Sequence, residues 1–330
     1  MSGAIGAGVL GIPYAIAKVG APLGIVAIIG VGLFTIGYNL TIGRIAARSG
    51  MPLQLPGLAE RYLGKWGKWL MVANMYILLL GSLMVYIIGE GQTLATLFGG
   101  SPFFWSVIFF LIAAGFVCIG LRTIKIVELL LILSIFGVMV LITLWSVPQI
   151  SLSHLQYVHW SEWLFPYGVL LFAFHSARAV PEAYSILRNR QANFKQAILW
   201  AGALVTLLYV LFAAVVVGVT GRGTTEIATI GLGKVLGNGV FILGNVFAAL
   251  AMSTSFLMSG VALRDSLAWD FRIHSVLAAV LVCGVPFVLF LLGVRQFIET
   301  IDLLGSVFIT FEVLLVGLIW IKAKKSQQIH

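Results

Sequence analysis

The amino-acid sequence predicts an all-α membrane protein with ten transmembrane helices, of which the first and the sixth are interrupted. Three observations carry this prediction. Hydrophobic residues make up 61% of the 330 residues and charged residues only 9%, and the mean hydropathy is +1.09, well outside the range of soluble domains. Apolar runs long enough to cross roughly 30 Å of hydrocarbon recur along the chain. Two of these runs contain residues that break helices.

The spans divide into two groups of five. The first group occupies residues 1–147, an external loop occupies 148–161, and the second group occupies 162–330. In the loop, His154 and His159 are five residues apart, a spacing unsuited to a shared metal, so we predict that they pack at the membrane interface. The ten predicted spans are 2–19, 22–43, 69–97, 102–121, 125–147, 162–187, 195–219, 238–263, 275–293 and 298–321.

The basic residues are distributed unevenly between the connections. Fifteen of the 20 lysines and arginines fall in alternate connecting regions, four fall on the opposite side, and Arg178 lies inside a span. The positive-inside rule therefore places both termini in the cytoplasm, and we expect the protein in the cell (inner) membrane. The formal charge of +9 then reflects topology, and nucleic-acid binding is not expected. We expect no cleavable signal peptide, because the opening segment lacks a basic region.

The first interruption is a glycine-rich run at the start of the chain. Gly3, Gly6, Gly8 and Gly11 fall within nine residues of an apolar segment, and glycine weakens a helix. In a bilayer, irregular backbone persists only where it is buried in protein or lines a cavity. The run is therefore either a binding site built from freed backbone groups or a close helix contact through small residues.

The second interruption lies in span six. His175, Ser176, Arg178 and Pro181 stand where an uninterrupted span would be apolar. Because proline has no N–H and clashes with the preceding turn, we predict a break or kink near residues 174–180. A kink filled by neighbouring helices is the alternative. Interruptions in the first span of each half are typical of the binding site of an inverted-repeat transporter.

Two motifs resemble a known family. GAGVLGIPYA at 6–15 resembles the first-helix motif of the amino acid/auxin permease family, which includes bacterial aromatic amino acid permeases. FAFH at 172–175, followed by AVPE at 179–182, resembles its sixth-helix motif. The resemblance implies the five-plus-five inverted repeat of the amino acid–polyamine–organocation superfamily, with helices 1 and 6 broken at the bilayer midplane. It also implies ion-coupled amino acid symport by alternating access.

The chain departs from this pattern in two respects. Many relatives carry an eleventh helix, which we do not expect after Lys325. Only five residues precede Gly6 in the first motif, so the cytoplasmic half of helix 1 is expected to be short.

The resemblance also implies a substrate site. Backbone amides at the first interruption would bind the substrate carboxylate, and carbonyls at the second would bind its ammonium group. The substrate-binding residues predicted in this way are Gly6, Ala7, Gly8, Phe172, Ala173, Phe174, His175 and Arg178.

Arg178 has more than one interpretation. A charge inside a span is costly and indicates function. The guanidinium could bind a substrate carboxylate or replace a transported cation. Alternatively, it pairs with Glu182 four residues on, or it faces the cytoplasmic vestibule.

The coupling ion is predicted to be sodium or a proton, and no cofactor is expected. Ala251, Thr254 and Ser255 share one face of span eight, and the family pattern adds the carbonyls of Ser2 and Ile5 to form a sodium cage. In the alternative interpretation, these hydroxyls bond to their own helix or a neighbour.

Two buried acids are alternative proton carriers. Glu90 lies in span three and Glu312 in span ten, and burial of a carboxyl favours its neutral form. The alternative is a neutral carboxyl bonded to an adjacent helix.

These observations predict a secondary active amino acid transporter, most suitably for neutral or aromatic substrates. The alternative is a non-transporting amino acid sensor that keeps the ligand site. An enzyme is not expected, because the sequence contains no recognisable catalytic motif. The expected partners are an amino acid and the lipid bilayer.

Overall fold

A computed structural model describes residues 7–51, 53–120, 125–187, 191–270 and 274–325. Only the backbone is described for 125–132, 135–136, 191–192 and 269–270. All regular structure in these ranges is helical, which confirms the all-α prediction. Numbered in chain order, the α-helices are α1 Ala7–Val19, α2 Ala21–Ser49, α3 Leu55–Phe98, α4 Pro102–Ile119, α5 Lys125–Ser146, α6 Pro166–Phe174, α7 Ala179–Ile186, α8 Gln191–Thr220, α9 Ala228–Leu236, α10 Asn238–Asp270, α11 Ser275–Leu291, α12 Phe297–Leu303 and α13 Thr310–Lys325.

Many of these helices are suited to a bilayer. Within the described ranges, six stretches are long and apolar enough to cross one: Ala21–Ser49, Leu55–Phe98, Pro102–Ile119, Asn193–Gly223, Asn238–Ala268 and Phe297–Lys325. Shorter apolar helices occupy Ala7–Val19, Gly137–Gln149 and Ser275–Leu291. The chain is therefore a multi-pass membrane protein, and the total of ten spans stays a prediction.

The exterior of the bundle is apolar. Large side chains such as Leu111, Leu144 and Leu314 are more than 60% exposed. In a membrane this surface meets lipid tails rather than water, so its exposure carries no penalty. The main core lies where α1, α3, α6, α8 and α10 meet, and a second core joins α2, α7 and α13.

The 148–161 loop packs against the C-terminal end of α1. The Tyr157 hydroxyl donates a hydrogen bond to the Ala17 carbonyl at 2.6 Å, and the His159 N–H donates to the Val19 carbonyl at 2.8 Å. His154 Nδ1 lies 3.0 Å from the Gly218 carbonyl. The His154 ring and the His159 backbone thus contact protein groups, and the position of both histidines at the membrane interface stays a prediction.

Arg264 closes the end of α4. Its Nη1 donates to the Val117 carbonyl at 2.8 Å, and its Nε donates to Asp265 at 3.0 Å. Gly120 ends the helix with a φ of +79°, a conformation that glycine adopts without strain. The guanidinium stabilises the negative end of the helix dipole, while Asp265 balances its charge.

Candidate functional site

Residues 175–178 separate α6 from α7 and are called here the α6–α7 junction. Helix α6 ends at Phe174 and α7 begins at Ala179. Pro181 lies in the first turn of α7, where its missing N–H costs no helical hydrogen bond. The chain at His175 is extended, with φ −64° and ψ 114°. Backbone groups at the C-terminal end of α6 therefore leave the helical pattern inside the bundle.

Two of the carbonyls predicted to bind a ligand already accept one hydrogen bond each. The His175 N–H donates to the Phe172 carbonyl at 3.2 Å, and the Tyr209 hydroxyl of α8 donates to the Ala173 carbonyl at 3.1 Å. A carbonyl oxygen has two lone pairs, so with respect to the described residues each retains one for a further donor. Tyr209 was not predicted, since nothing in the apolar sequence of α8 indicates its partner.

The junction is tied to α2 and α13 by polar side chains. His175 Nε2 lies 3.0 Å from Glu312 Oε1 on α13, and the Tyr38 hydroxyl on α2 donates to the same oxygen at 3.0 Å. The Asn39 amide donates to the Ser176 hydroxyl at 2.9 Å. Tyr38 and Asn39 were missed by the sequence analysis, although two adjacent polar residues inside an apolar span are a usable signal.

Arg178 lies at the end of the junction and is half-buried. Its charge interacts with Tyr86 on α3 and with Glu312. The ion pairs found among the described residues do not include Arg178 with Glu182, and the Glu182 side chain is exposed. The structure therefore corrects the pairing alternative and places Arg178 beside the interior polar cluster.

The beginning of α1 lies next to the end of α6. A Cβ built on Gly8 would be 2.7 Å from the Cα of Ala173, closer than any ordinary van der Waals contact. Gly8 and Gly11 both lie within α1, so the space at Gly8 is filled by α6 rather than open to a ligand. At Gly8 this favours the close helix contact among the two interpretations of the glycine-rich run. Ala7 opens the described helix, whereas the predicted site residues Ser2, Ile5 and Gly6 lie outside the described residues.

The hydroxyls of α10 are engaged locally. Thr254 Oγ1 lies 2.9 Å from the Leu250 carbonyl and 3.1 Å from the Ala251 carbonyl, which matches the own-helix alternative. Ser255 interacts with the Tyr86 hydroxyl. The sodium site formed by these groups therefore stays a prediction.

The buried acid Glu90 has a partner on α10. Ser253 Oγ donates to Glu90 Oε1 at 2.6 Å, and Glu90 is 1% exposed. This contact joins α3 to α10 and corresponds to the predicted alternative of a carboxyl bonded to an adjacent helix.

The described residues form a bundle of apolar helices around an interior polar junction, which defines a helical membrane protein. The chain belongs to the tryptophan/tyrosine permease family, whose model matches residues 1–330. It is 26% identical to glutamine transporter 2 of Aliivibrio fischeri, an alignment that covers 99% of this chain and 88% of that protein. It is 25% identical to tyrosine-specific transport system 1 of Haemophilus influenzae, with 98% and 86% covered.

A solved structure has a similar fold. The crystal structure of MhsT in complex with L-phenylalanine superposes with a TM-score of 0.67 at 16% identity, and the match covers 96% of this chain and 86% of that one. This similarity concerns the fold.

Proposed function

We propose that this protein is a secondary active, ion-coupled amino acid transporter that works by alternating access and prefers neutral or aromatic amino acids. Family membership supports the class, and both relatives are named as transporters of amino acids, glutamine in one case and tyrosine in the other. For this chain, we infer the substrate class from the geometry of two helix ends.

The contact between Gly8 and Ala173 carries this proposal. It sets the first described turn of α1 beside the C-terminal end of α6, and the family resemblance implies that helix 1 is interrupted here. A helix N-terminus presents N–H groups and partial positive charge, and a C-terminus presents carbonyls and partial negative charge. Together the two ends match the carboxylate and the ammonium of one zwitterion, which must be desolvated at the same time to enter a membrane protein.

Within this site, the amides at Ala7 and Gly8 bind the substrate carboxylate. The carbonyls of Phe172, Ala173 and Phe174 bind the ammonium group. The Phe172 carbonyl accepts from the His175 N–H and the Ala173 carbonyl from the Tyr209 hydroxyl, and each of these two oxygens has a second lone pair for the ammonium group. This arrangement recognises only the carboxylate and ammonium groups that all amino acids share. Selection among amino acids then falls to the surrounding side chains.

Arg178 sets the charge preference. A guanidinium inside the bundle raises the cost of bringing a second positive charge nearby, because the low dielectric strengthens the repulsion. Lysine and arginine are therefore poor substrates, and neutral side chains are accepted.

The wider architecture is proposed on the same grounds. Residues 1–147 form the first repeat and 162–330 the inverted second, as in the amino acid–polyamine–organocation superfamily, with ten spans and both termini in the cytoplasm of the inner membrane. The coupling cation is sodium or a proton. A sodium ion would use Ala251, Thr254 and Ser255 together with the carbonyls of Ser2 and Ile5.

Counterflow in proteoliposomes tests the proposal. Vesicles containing the purified protein are preloaded with an unlabelled neutral amino acid and diluted into labelled L-tyrosine or L-glutamine. Transport predicts a transient accumulation of label that protein-free vesicles lack. Saturable binding without exchange would instead identify a sensor, and the absence of both binding and exchange for every neutral amino acid would refute the site.

A further inference from the structure

A groove lies on the outer surface of the bundle between α3 and the last helical segment of the chain. The two elements touch at Gly81, because a Cβ there would clash with Leu304 in the π-helical stretch Leu304–Ile309 that precedes α13. Beyond this contact they leave a space of about 380 Å³. The side chains that line the space are apolar except for Asn74 and Thr310. Leu70, Ile77 and Leu314 in its walls are exposed on the surface of the bundle, so the groove opens toward lipid.

The α13 wall of the groove continues into two lysines. Leu314, Leu318, Lys322 and Lys325 follow one another at intervals of four, four and three residues, so they share one face of the helix. All four side chains are exposed, and neither lysine belongs to an ion pair among the described residues. About 12 Å of helix separates Lys322 from Leu314, less than the roughly 15 Å of hydrocarbon in one leaflet. An acyl chain in the groove therefore reaches the level of these lysines within a single leaflet.

The α3 wall of the groove ends at a tryptophan. Gly64 interrupts α3 with a φ of +77°, and Trp66 follows it with 82% of its surface exposed. Trp66 lies four residues before Leu70 and therefore on the face that lines the groove. A tryptophan at the end of a membrane span lies among the lipid headgroups, where its indole N–H donates to oxygen atoms. Trp66, Lys322 and Lys325 together are called here the charged end of the groove.

We propose that the groove and its charged end bind one anionic phospholipid of the phosphatidylglycerol type. An acyl chain lies between α3 and α13, and the phosphate binds Lys322 and Lys325. A lipid fits the groove because the walls are apolar and open to the bilayer. An anionic lipid fits the charged end because a zwitterionic headgroup carries its own cation, which the two ammonium groups repel. This site is separate from the ends of α1 and α6, so the inference does not depend on the proposed function.

This site differs from a general attraction between basic residues and an anionic membrane. A lysine near the membrane surface favours anionic lipid by a factor of about five. In a general attraction every exposed lysine at this end of the bundle contributes alike, whereas in a site only the lysines of the charged end contribute. Lys195 near the start of α8 is exposed and is not part of the groove. The proposed topology places it on the same side of the membrane, so it is the matched control.

Native mass spectrometry of the delipidated protein in detergent tests the proposal. It measures the affinity for palmitoyl-oleoyl phosphatidylglycerol and for phosphatidylcholine with the same acyl chains. The parent should bind phosphatidylglycerol more tightly, by on the order of tenfold. Lys322→Gln and Lys325→Gln should each lower this affinity about fivefold without changing the affinity for phosphatidylcholine, and Lys195→Gln should change neither. Ala73→Phe fills the groove without altering charge and should weaken the binding of both lipids.

The opposite results would overturn the proposal. Equal affinities of the parent for the two lipids would remove the recognition of charge. A loss in Lys195→Gln as large as in Lys322→Gln would show a general attraction. Unchanged lipid binding by Ala73→Phe would place the acyl chain elsewhere, and a lipid-free dimer that Ala73→Phe dissociates would assign the groove to a second copy of the chain. All four substitutions are at exposed positions, and the unfolding temperature of each variant checks that it is folded.

Discussion

The contact between α1 and α6 yields the most specific prediction, through the substitution Gly8→Ala. The new methyl group would lie 2.7 Å from the Ala173 Cα, and ordinary carbon contacts begin near 3.5 Å. The two helices must therefore separate by several tenths of an ångström. Overpacking of this kind costs about 1–3 kcal/mol, partly offset by the gain of up to about 1 kcal/mol when alanine replaces glycine in a helix. The same separation moves the two helix ends apart and weakens substrate binding.

Gly30→Ala is the matched control. Gly30 lies on α2, is exposed, and a Cβ there meets nothing within 4 Å, so only the helix-propensity gain applies. Thermal unfolding in detergent, with and without L-tyrosine, measures both effects. We expect Gly8→Ala to unfold at a lower temperature than the parent and to lose most of the ligand stabilisation, whereas Gly30→Ala keeps both. Equal stability and equal ligand response in the two variants would refute the close contact and the zwitterion site built on it.

Three further predictions follow from single residues. Arg178→Ser should admit lysine and arginine as competitors of labelled substrate, and a competition profile identical to the parent would remove Arg178 from the site. Burial raises the pKa of Glu226, although its carboxylate accepts a hydrogen bond from the Ile298 N–H, and nearby Glu299 raises it further. The stability that the protonated carboxyl contributes is therefore present at low pH and lost as pH rises. At acid pH, Glu226→Gln should unfold at the same temperature as the parent. At higher pH the variant should unfold at a higher temperature than the parent, and a difference in unfolding temperature that stays constant across pH would contradict this. Arg264→Ala should lower the unfolding temperature by removing the bond to the α4 end, without changing substrate affinity measured by binding, and a parallel loss of affinity would show that Arg264 acts on the site.

The sequence was informative where the signal is local. Pro181 and the polar cluster around His175 predict a disturbed helix because proline and charge act on neighbouring turns. The structure places the gap between α6 and α7 at 175–178. Hydropathy likewise identifies the long apolar helices, since each must satisfy its own backbone in lipid.

The partners of these residues were less accessible from the sequence. Tyr38 and Glu312 are 274 positions apart, and their meeting depends on how α2 and α13 pack. Gly8 was predicted to be a substrate-binding residue, whereas the helix crossing packs Ala173 directly against it. Contacts between distant helices depend on crossing angles that no local pattern specifies, so the sequence named Arg178 and Glu312 without showing that they lie in one cluster.

The central claim is that an amino acid zwitterion binds where α1 begins and α6 ends. A structure determined with a bound neutral amino acid such as L-tyrosine tests this most directly. We expect the ligand carboxylate at hydrogen-bond distance, about 2.9 Å, from the N–H groups of Ala7 or Gly8. Its ammonium group should face the carbonyls of Phe172, Ala173 or Phe174. A ligand bound away from both helix ends, or turned so that its ammonium group faces α1, would contradict the account.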